Sequence, residues 1–135
     1  MRRSTNALRL LLTLGCAALQ PACSTCATSH ISQDDLLAKI QSATAPPIID
    51  VRTQGEYDSG HVPGAIHIPF YAVFWHGAEI PASPDQPVVV YCAHGPRAGV
   101  AKLELRAAGF AHVLYLEGHM SAWKQRGLPI ETGGE

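Results

Sequence analysis

The residue best suited to nucleophilic chemistry is Cys92, which begins the segment Cys92-Ala93-His94-Gly95-Pro96-Arg97-Ala98. The four apolar residues before it predict a buried strand, and the residues from Arg97 onward predict a helix. Gly95 allows backbone torsions that curl the connecting loop and turn successive N–H groups toward a common centre. The helix N-terminus adds its partial positive charge there. A cysteine at the base of such a loop is predicted to form a reactive thiolate.

We call the ring of backbone N–H groups in residues 93–98 the amide cup. It is predicted to hold an anionic substrate against the sulfur, and the Arg97 guanidinium is predicted to donate hydrogen bonds to two oxygens of that anion. The candidate substrate-binding residues are therefore Ala93, His94, Gly95, Arg97 and Ala98. His94 is interpreted as a rim residue and not as a catalytic base. The alternative, that Cys92 is only a small buried apolar residue at a strand end, stays open.

Short apolar runs alternate with helical patterns along the chain. Four runs predict strands covered on both faces, at residues 48–51, 65–68, 88–91 and 113–116. Helices are predicted after Ser32 and over residues 97–108 and 121–126, with a short helical turn at 70–76 whose side chains Phe70, Val73, Phe74 and Trp75 fill space. Phe70, Phe74 and Trp75 are expected either to cover the core or to line the mouth of the active site. This alternation predicts an α/β fold, a three-layer sandwich with a central, mainly parallel sheet. Ligands bind beyond the C-terminal ends of such strands, which is where Cys92 lies.

Composition indicates an ordinary globular protein, with 47% hydrophobic and 16% charged residues among 135. We predict one folded domain over residues 30–135. Residues 1–29 hold three of the 10 basic residues, which leaves 7 against 11 acidic residues and a domain charge of about −4. Because the remaining basic residues are scattered, no stripe for a phosphate backbone exists and no nucleic-acid partner is expected.

Residues 1–29 predict an export signal and tether. A positively charged start precedes an apolar run at residues 7–19, which is too short to cross a bilayer. We therefore expect the domain in the periplasm or cell envelope. Cys16 and Cys23 each resemble a bacterial lipoprotein cleavage site imperfectly, and a lipid on either would tether the domain to a membrane. Simple cleavage without a lipid is the alternative.

Four separated motifs occur in order after the tether. They are Asp50-Val51-Arg52 with Glu56-Tyr57, Gly60-His61-Val62-Pro63-Gly64-Ala65 with Ile68-Pro69, Tyr91-Cys92 through Gly95 and Arg97, and Leu116-Glu117-Gly118 with Ala122-Trp123. Together they resemble the rhodanese family of sulfurtransferases over about residues 30–131. The resemblance implies the single-domain rhodanese fold, with Cys92 as the residue that takes up sulfur. It also implies supporting roles, mostly in ion pairs and turns, for Asp50, Arg52, Glu56 and His61.

The resemblance implies a double-displacement reaction. The Cys92 thiolate attacks the outer sulfur of a donor such as thiosulfate, sulfite leaves, and a Cys92 persulfide remains. A nucleophilic acceptor, which is cyanide, a small thiol or a protein thiol, then removes that sulfur. No cofactor or metal is expected, because the amide cup supplies the electrostatic stabilisation and the histidines have no i, i+4 pair typical of a metal site.

Two other functions are weighed against sulfur transfer. Dual-specificity phosphatases and arsenate reductases share the fold but have five residues between cysteine and arginine, whereas four separate Cys92 from Arg97 here. No Asp or Glu stands in or beside the loop to act as a general acid. The other alternative is a module that binds a partner protein or relays a persulfide without turning over thiosulfate.

Three departures from the family pattern concern the site. Pro96 has no N–H to donate, although proline suits the first turn of a helix. Ala98 stands where a serine or threonine is common, so a hydroxyl is missing beside the sulfur. His119 follows Gly118 where a second glycine is common, and it is interpreted as the mark of a looser turn.

Overall fold

A single parallel sheet forms the centre of the molecule. The computed structural model describes residues 29–133, and its strands are β1 His30–Ile31, β2 Ile48–Asp50, β3 Ile66–His67, β4 Pro87–Tyr91 and β5 His112–Leu116. The strand order is β1-β5-β4-β2-β3, and every pairing is parallel. The predicted α/β fold with a central parallel sheet is confirmed, and the apolar run before Cys92 is its middle strand.

Helices cover both faces of this sheet. They are α1 Gln33–Gln41, α2 Gln54–Asp58, α3 Val73–His76, α4 Pro96–Ala107 and α5 His119–Gln125. Side chains of β4 alternate between the two faces, so that Val88 and Val90 pack in a core with α3 and α4, while Val89 and Tyr91 pack in a core with α1 and α5. The result is the three-layer sandwich that the sequence predicts.

The helices begin where their sequences provide capping groups. The Ser32 hydroxyl accepts a hydrogen bond from the Asp35 N–H at the start of α1. Thr53 and Glu56 form a reciprocal capping box at the start of α2. Helix α4 starts at Pro96, whose missing N–H would have no intrahelical partner in the first turn.

Two features of the fold differ from the sequence expectations. The two-residue strand β1 pairs with β5 and is too short for a periodic pattern to reveal. Of the two expectations for Phe74 and Trp75, that they cover the core is wrong, because these side chains are 51% and 79% exposed. Helix α3 has only one turn, so only one side can face the core, and Val73 occupies that side.

Residues 1–28 lie outside the described part of the chain. They contain most of the predicted export signal and tether, together with Cys16 and Cys23, the two candidate lipidation sites. Among the helices of residues 29–133, none combines the length and apolar character needed to cross a membrane.

Candidate active site

Cys92 lies immediately after β4, at the edge where the parallel strands have their C-terminal ends. The residue is 1% exposed, and its sulfur accepts a hydrogen bond from the Gly95 N–H at 2.9 Å. Gly95 has a φ of 129°, in a region that residues with a side chain rarely adopt. The glycine therefore allows the loop to curl until its own amide points at the sulfur three residues earlier.

Two carbonyl groups of the Cys92 loop, residues 92–97, accept hydrogen bonds from the first turn of α5. Met120 N–H donates to the Cys92 carbonyl at 3.0 Å, and Ser121 N–H donates to the Ala93 carbonyl at 3.1 Å. None of the hydrogen bonds among residues 29–133 uses the N–H groups of residues 93, 94, 97 and 98. These amides remain available to a bound anion.

The Ala98 side chain is fully buried and belongs to the same core cluster as Cys92. His94 is exposed at the rim of the loop, and the structure gives it no hydrogen bond to the Cys92 sulfur among the described residues.

The Arg97 side chain points to a carboxylate and not to the centre of the amide cup. Its two terminal nitrogens donate to the Glu56 carboxylate at 2.6 and 2.9 Å. This bidentate hydrogen bonding holds the pKa of Glu56 well below its usual range and raises the pKa of Arg97. These hydrogen bonds link α4 to α2, and the expected contact of the Arg97 guanidinium with substrate stays a prediction. The partner lies 41 residues away, which sequence spacing does not reveal.

Asp50 and Arg52 form a buried ion pair below the loop. Arg52 Nε and Nη2 donate to the Asp50 carboxylate at 3.0 and 2.6 Å, and Nη2 also donates to the Gly60 carbonyl at 2.8 Å. The Tyr91 hydroxyl donates to the same carboxylate at 2.7 Å and accepts from the Val62 N–H at 3.0 Å. Burial, followed by the Asp50 charge, raises the pKa of Tyr91 and keeps its hydroxyl protonated.

Tyr91 lies in the third sequence motif, but its role at the site was not predicted from the sequence. Its apolar neighbours in β4 suggested only a strand residue, yet its hydroxyl joins the loops after β2 to the strand that carries Cys92. His61 lies in the same region, where its Nδ1 is 2.9 Å from the Tyr57 carbonyl and its ring stacks on Tyr57 at 3.7 Å. The buried polar residues thus fix the backbone around the site.

His119 is a second residue whose place was missed. The interpretation from sequence was a looser turn, but Nδ1 of this ring lies 3.4 Å from the Cys92 N atom in a hydrogen bond. Burial, and then the neighbouring His30 and His94, lower the pKa of His119. The available signal was the presence of a side chain where the resembling family commonly has glycine.

A cleft of about 230 Å³ opens beside the Cys92 loop. Its walls come from the loop, from α5 and from the segment after β2, with lining residues Arg52, Glu56, Ser59, Ala93, His94, Met120, Ser121 and Lys124. Asp50 neutralises Arg52, and Arg97 neutralises Glu56. Lys124 has no carboxylate partner among residues 29–133, so the cleft carries one uncompensated positive charge.

Two larger clefts, of about 580 and 370 Å³, lie around Pro46 and Pro47 at the N-terminal ends of the strands. Neither is lined by a residue of the Cys92 loop. Size alone would favour them, but the smaller cleft is lined by Ala93 and His94, the two residues that follow Cys92. No cluster of three or more His, Cys, Asp or Glu side chains suited to a metal ion occurs within residues 29–133.

The chain is similar to a known protein family, to a sulfurtransferase and to proteins of solved structure. The Rhodanese-like domain model matches residues 32–126. A sulfurtransferase from Allochromatium vinosum is 32% identical over 102 residues, which cover 76% of this chain and 94% of the relative. The Alr3790 protein from Anabaena sp. is 30% identical with a TM-score of 0.69, over 76% of this chain and 92% of that one.

A third similar structure is RPA3614 from Rhodopseudomonas palustris, described as a protein of unknown function and possible tyrosine phosphatase. It is 29% identical with a TM-score of 0.64, over 77% of this chain and 85% of that one. The fold alone therefore does not separate sulfur chemistry from phosphate chemistry, and the residues around Cys92 must do so.

Proposed function

The chain belongs to the rhodanese-like family, and on that basis we propose that it is a sulfurtransferase that carries a sulfane sulfur as a persulfide on Cys92. The donor is a small anion such as thiosulfate, and the acceptor is cyanide, a small thiol or a protein thiol. The observation that carries the proposal is the Gly95 N–H, which donates to the Cys92 sulfur at 2.9 Å and so favours a negatively charged sulfur at this position.

The first half-reaction moves one sulfur atom onto the protein. The Cys92 thiolate attacks the outer sulfur of thiosulfate, a new S–S bond forms, and the old S–S bond breaks with its electron pair leaving on sulfite. In the second half-reaction the acceptor attacks the outer sulfur of the persulfide, and the electron pair of the broken bond restores the Cys92 thiolate. No external oxidant or reductant is consumed.

The amide cup supports the persulfide as well as the thiolate. The outer sulfur would lie about 2 Å beyond Sγ, within the curl of the loop, where the unused N–H groups of residues 93, 94, 97 and 98 supply donors. Pro96 supplies no such donor, in keeping with its place in the first helical turn.

The cleft beside the loop suits the remainder of an anionic donor. Lys124 provides its uncompensated positive charge, and Ser59 and Ser121 provide hydroxyl groups. Because Cys92 is almost fully enclosed, an acceptor has to be small or has to present its nucleophile on a narrow projection. Cyanide, small thiols and exposed protein thiols meet this condition.

Phosphate hydrolysis is the second enzymatic candidate, and the geometry disfavours it. Glu56 is the carboxylate that lines the cleft, and would be the candidate general acid. Its bidentate hydrogen bonds from Arg97 hold its pKa far below neutral, so it carries no proton to donate to a leaving group. The short Cys92 loop also leaves less room for a tetrahedral phosphate than a loop with a fifth intervening residue.

A steady-state thiosulfate:cyanide assay of the full-length chain, beside Cys92→Ser, tests the proposal. Sulfur transfer predicts thiocyanate formation by the wild-type chain and none above background by Cys92→Ser. Equal rates for the two chains would end the enzyme hypothesis. Uptake of one sulfur without turnover would favour the persulfide relay, and hydrolysis of a phenyl phosphate would favour the phosphatase.

A further inference from the structure

His119 occupies a backbone conformation that needs a compensating contact. Its φ is 53°, in the left-handed region, and it directly follows Gly118 at φ 66°. Glycine adopts this conformation without cost, whereas it is uncommon for residues with a side chain, including histidine, asparagine and aspartate, which are the most frequent of them there. A histidine kept in such a position points to a contribution from its side chain.

The imidazole lies beside the Cys92 loop near both ends of its tight turn. Nδ1 accepts a hydrogen bond from the Cys92 N–H at 3.4 Å. On the other side of the ring, a methyl group placed on Gly95 would lie 3.3 Å from Nε2, so the ring lies close to this glycine. One side chain therefore bonds the backbone of Cys92 and adjoins the residue whose N–H donates to the Cys92 sulfur.

The hydrogen bond also fixes the protonation state of the ring. A backbone N–H is always a donor, so Nδ1 can accept from it only when unprotonated, and the neutral ring carries its proton on Nε2. Protonation of Nδ1 would place its N–H opposite the Cys92 N–H, and because both groups are donors this hydrogen bond would be lost. The loss of this contact would free both the Cys92 amide and the face of the loop at Gly95.

The groups around His119 disfavour its protonated form. The ring is about half buried, and His30 of β1 and His94 of the Cys92 loop add positive charge nearby whenever they are protonated. Tyr115 of β5 packs edge-on with a centroid distance of 6.1 Å, and Lys102 of α4 lies over the Tyr115 ring at 4.2 Å. Burial, followed by His30 and His94, lowers the pKa of His119 and leaves the ring neutral at pH 7.

We propose that His119 is a positioning residue for sulfur transfer, whose neutral imidazole holds the Cys92 amide and packs over Gly95 so that the loop keeps its N–H aimed at the sulfur. The inference rests on the proposed function, because the rate to be controlled is that of sulfur uptake by Cys92. It assigns a role to the position at which this chain departs from the glycine common in the resembling family.

Two substitutions separate positioning from a purely structural role. His119→Gly removes the ring but relieves the left-handed backbone, so the fold should be retained. His119→Asn also tolerates this conformation and places an amide oxygen near the position of Nδ1, so an acceptor remains while the titration is lost.

The first measurement is the single-turnover rate of sulfur uptake from thiosulfate by the full-length chain, between about pH 5 and pH 8. At the upper end we expect His119→Gly to be about fivefold slower than wild type, as for loss of one hydrogen bond, and His119→Asn to be close to wild type. Below about pH 6.5, the ordinary pKa of histidine, the wild-type rate should fall more steeply than that of His119→Asn.

The second measurement does not depend on sulfur transfer. In a Cys92→Ser background, where residue 92 carries no thiol, the amide signal of residue 92 in a ¹H–¹⁵N spectrum should follow the titration of the His119 ring. When His119→Asn is added, the residue-92 amide signal should no longer show the change with pH that comes from the His119 ring. A residue-92 amide that ignores the ring titration would overturn the inference.

The two proposals can fail separately. If the wild-type chain takes up sulfur and His119→Gly matches it at every pH, the positioning role is wrong and the proposed function stands. If the wild-type chain takes up no sulfur from thiosulfate, the proposed function is wrong, and the positioning role in sulfur transfer falls with it.

Discussion

At the scale of single residues, the site depends on the contact between one amide and one sulfur. Gly95 makes this contact possible through its φ of 129°, and the Cys92 sulfur receives its N–H at 2.9 Å. Replacing Gly95 would disturb the loop in two ways, since a side chain is strained at this φ and its β-carbon would lie 3.3 Å from His119 Nε2.

Gly95→Ala should therefore lower kcat/KM for thiosulfate by more than about tenfold while costing only about 1–3 kcal/mol of unfolding free energy. The matched control is Gly99→Ala, in the first turns of α4, where an added β-carbon meets no atom within 4 Å among the described residues. Alanine stabilises a helix relative to glycine by about 1 kcal/mol. Gly99→Ala should therefore stay folded and keep its activity. Urea unfolding and steady-state kinetics of both variants check the pair, and full activity in Gly95→Ala would contradict the expected role of the loop.

The sequence predicted residues whose chemistry is local and missed those whose role depends on distant partners. Cys92 and Gly95 could be singled out because a strand, a glycine and a helix start follow one another within ten residues, 88–97. The contacts of His119 and Tyr91 could not be predicted, since their partners are 27 and 41 residues away in the chain. For the same reason the pairing of Arg97 with Glu56 was not predicted.

At the scale of elements, the Arg97–Glu56 ion pair joins α2 to the start of α4. The Glu56 carboxylate also accepts hydrogen bonds from the Thr53 N–H and hydroxyl, so the same group caps α2 and anchors the helix that follows the nucleophile. The Glu56 side chain is 35% exposed, and solvent therefore screens this pair in part.

Because the pKa of Glu56 is lowered in the folded chain, the protein is expected to lose stability as the pH falls into the acid range. The folded chain holds this carboxylate ionised more strongly than the unfolded chain does, so its contribution is complete above pH 4.5 and is lost as the pH falls below that value. Glu56→Gln should lose about 1 kcal/mol at neutral pH and should lose less than wild type on further acidification.

Urea unfolding of both chains at pH 7 and below pH 4.5 measures this difference. Asp34→Asn is the control, because its pair with Arg126 is a more exposed ion pair at 2.6 Å, at the end of α5 away from the Cys92 loop. Stability curves for wild type and Glu56→Gln that stay parallel through the acid range would contradict the expected linkage.

The order of strands and helices could be predicted from the sequence because burial on two faces leaves continuous apolar runs. The residues that surround the short elements in the folded chain could not be predicted in this way. The one-turn helix α3 leaves Phe74 and Trp75 largely exposed, and two-residue β1 gains its structure only by pairing with β5. In both cases the neighbouring element decides the outcome, not the local pattern.

At the scale of the whole molecule, a buried polar cluster connects the middle of the sheet to the loops around the cleft. Asp50 is fully buried and accepts hydrogen bonds from both Arg52 and Tyr91. Every buried side-chain nitrogen and oxygen within residues 29–133 has a hydrogen-bond partner. Such a cluster is costly to break because removing one charge leaves another buried without its partner.

Asp50→Asn should therefore lower the unfolding free energy by about 3 kcal/mol, since Arg52 would keep its charge at 3% exposure. Asp34→Asn, which breaks only an exposed pair, should cost less than about 1 kcal/mol. Thermal and urea unfolding of the two variants provide the comparison. Similar losses for the buried and the exposed aspartate would contradict a structural role for the cluster.

Location of the sulfur after reaction with thiosulfate tests the proposed function most directly. Intact-mass analysis of the full-length chain should show a gain of one sulfur atom, peptide mapping should place it on Cys92, and added cyanide should remove it as thiocyanate. Cys92→Ser should show no such gain. A cyanide-labile sulfur on any other residue, or the same gain in Cys92→Ser, would contradict the assignment of Cys92 as the sulfur carrier.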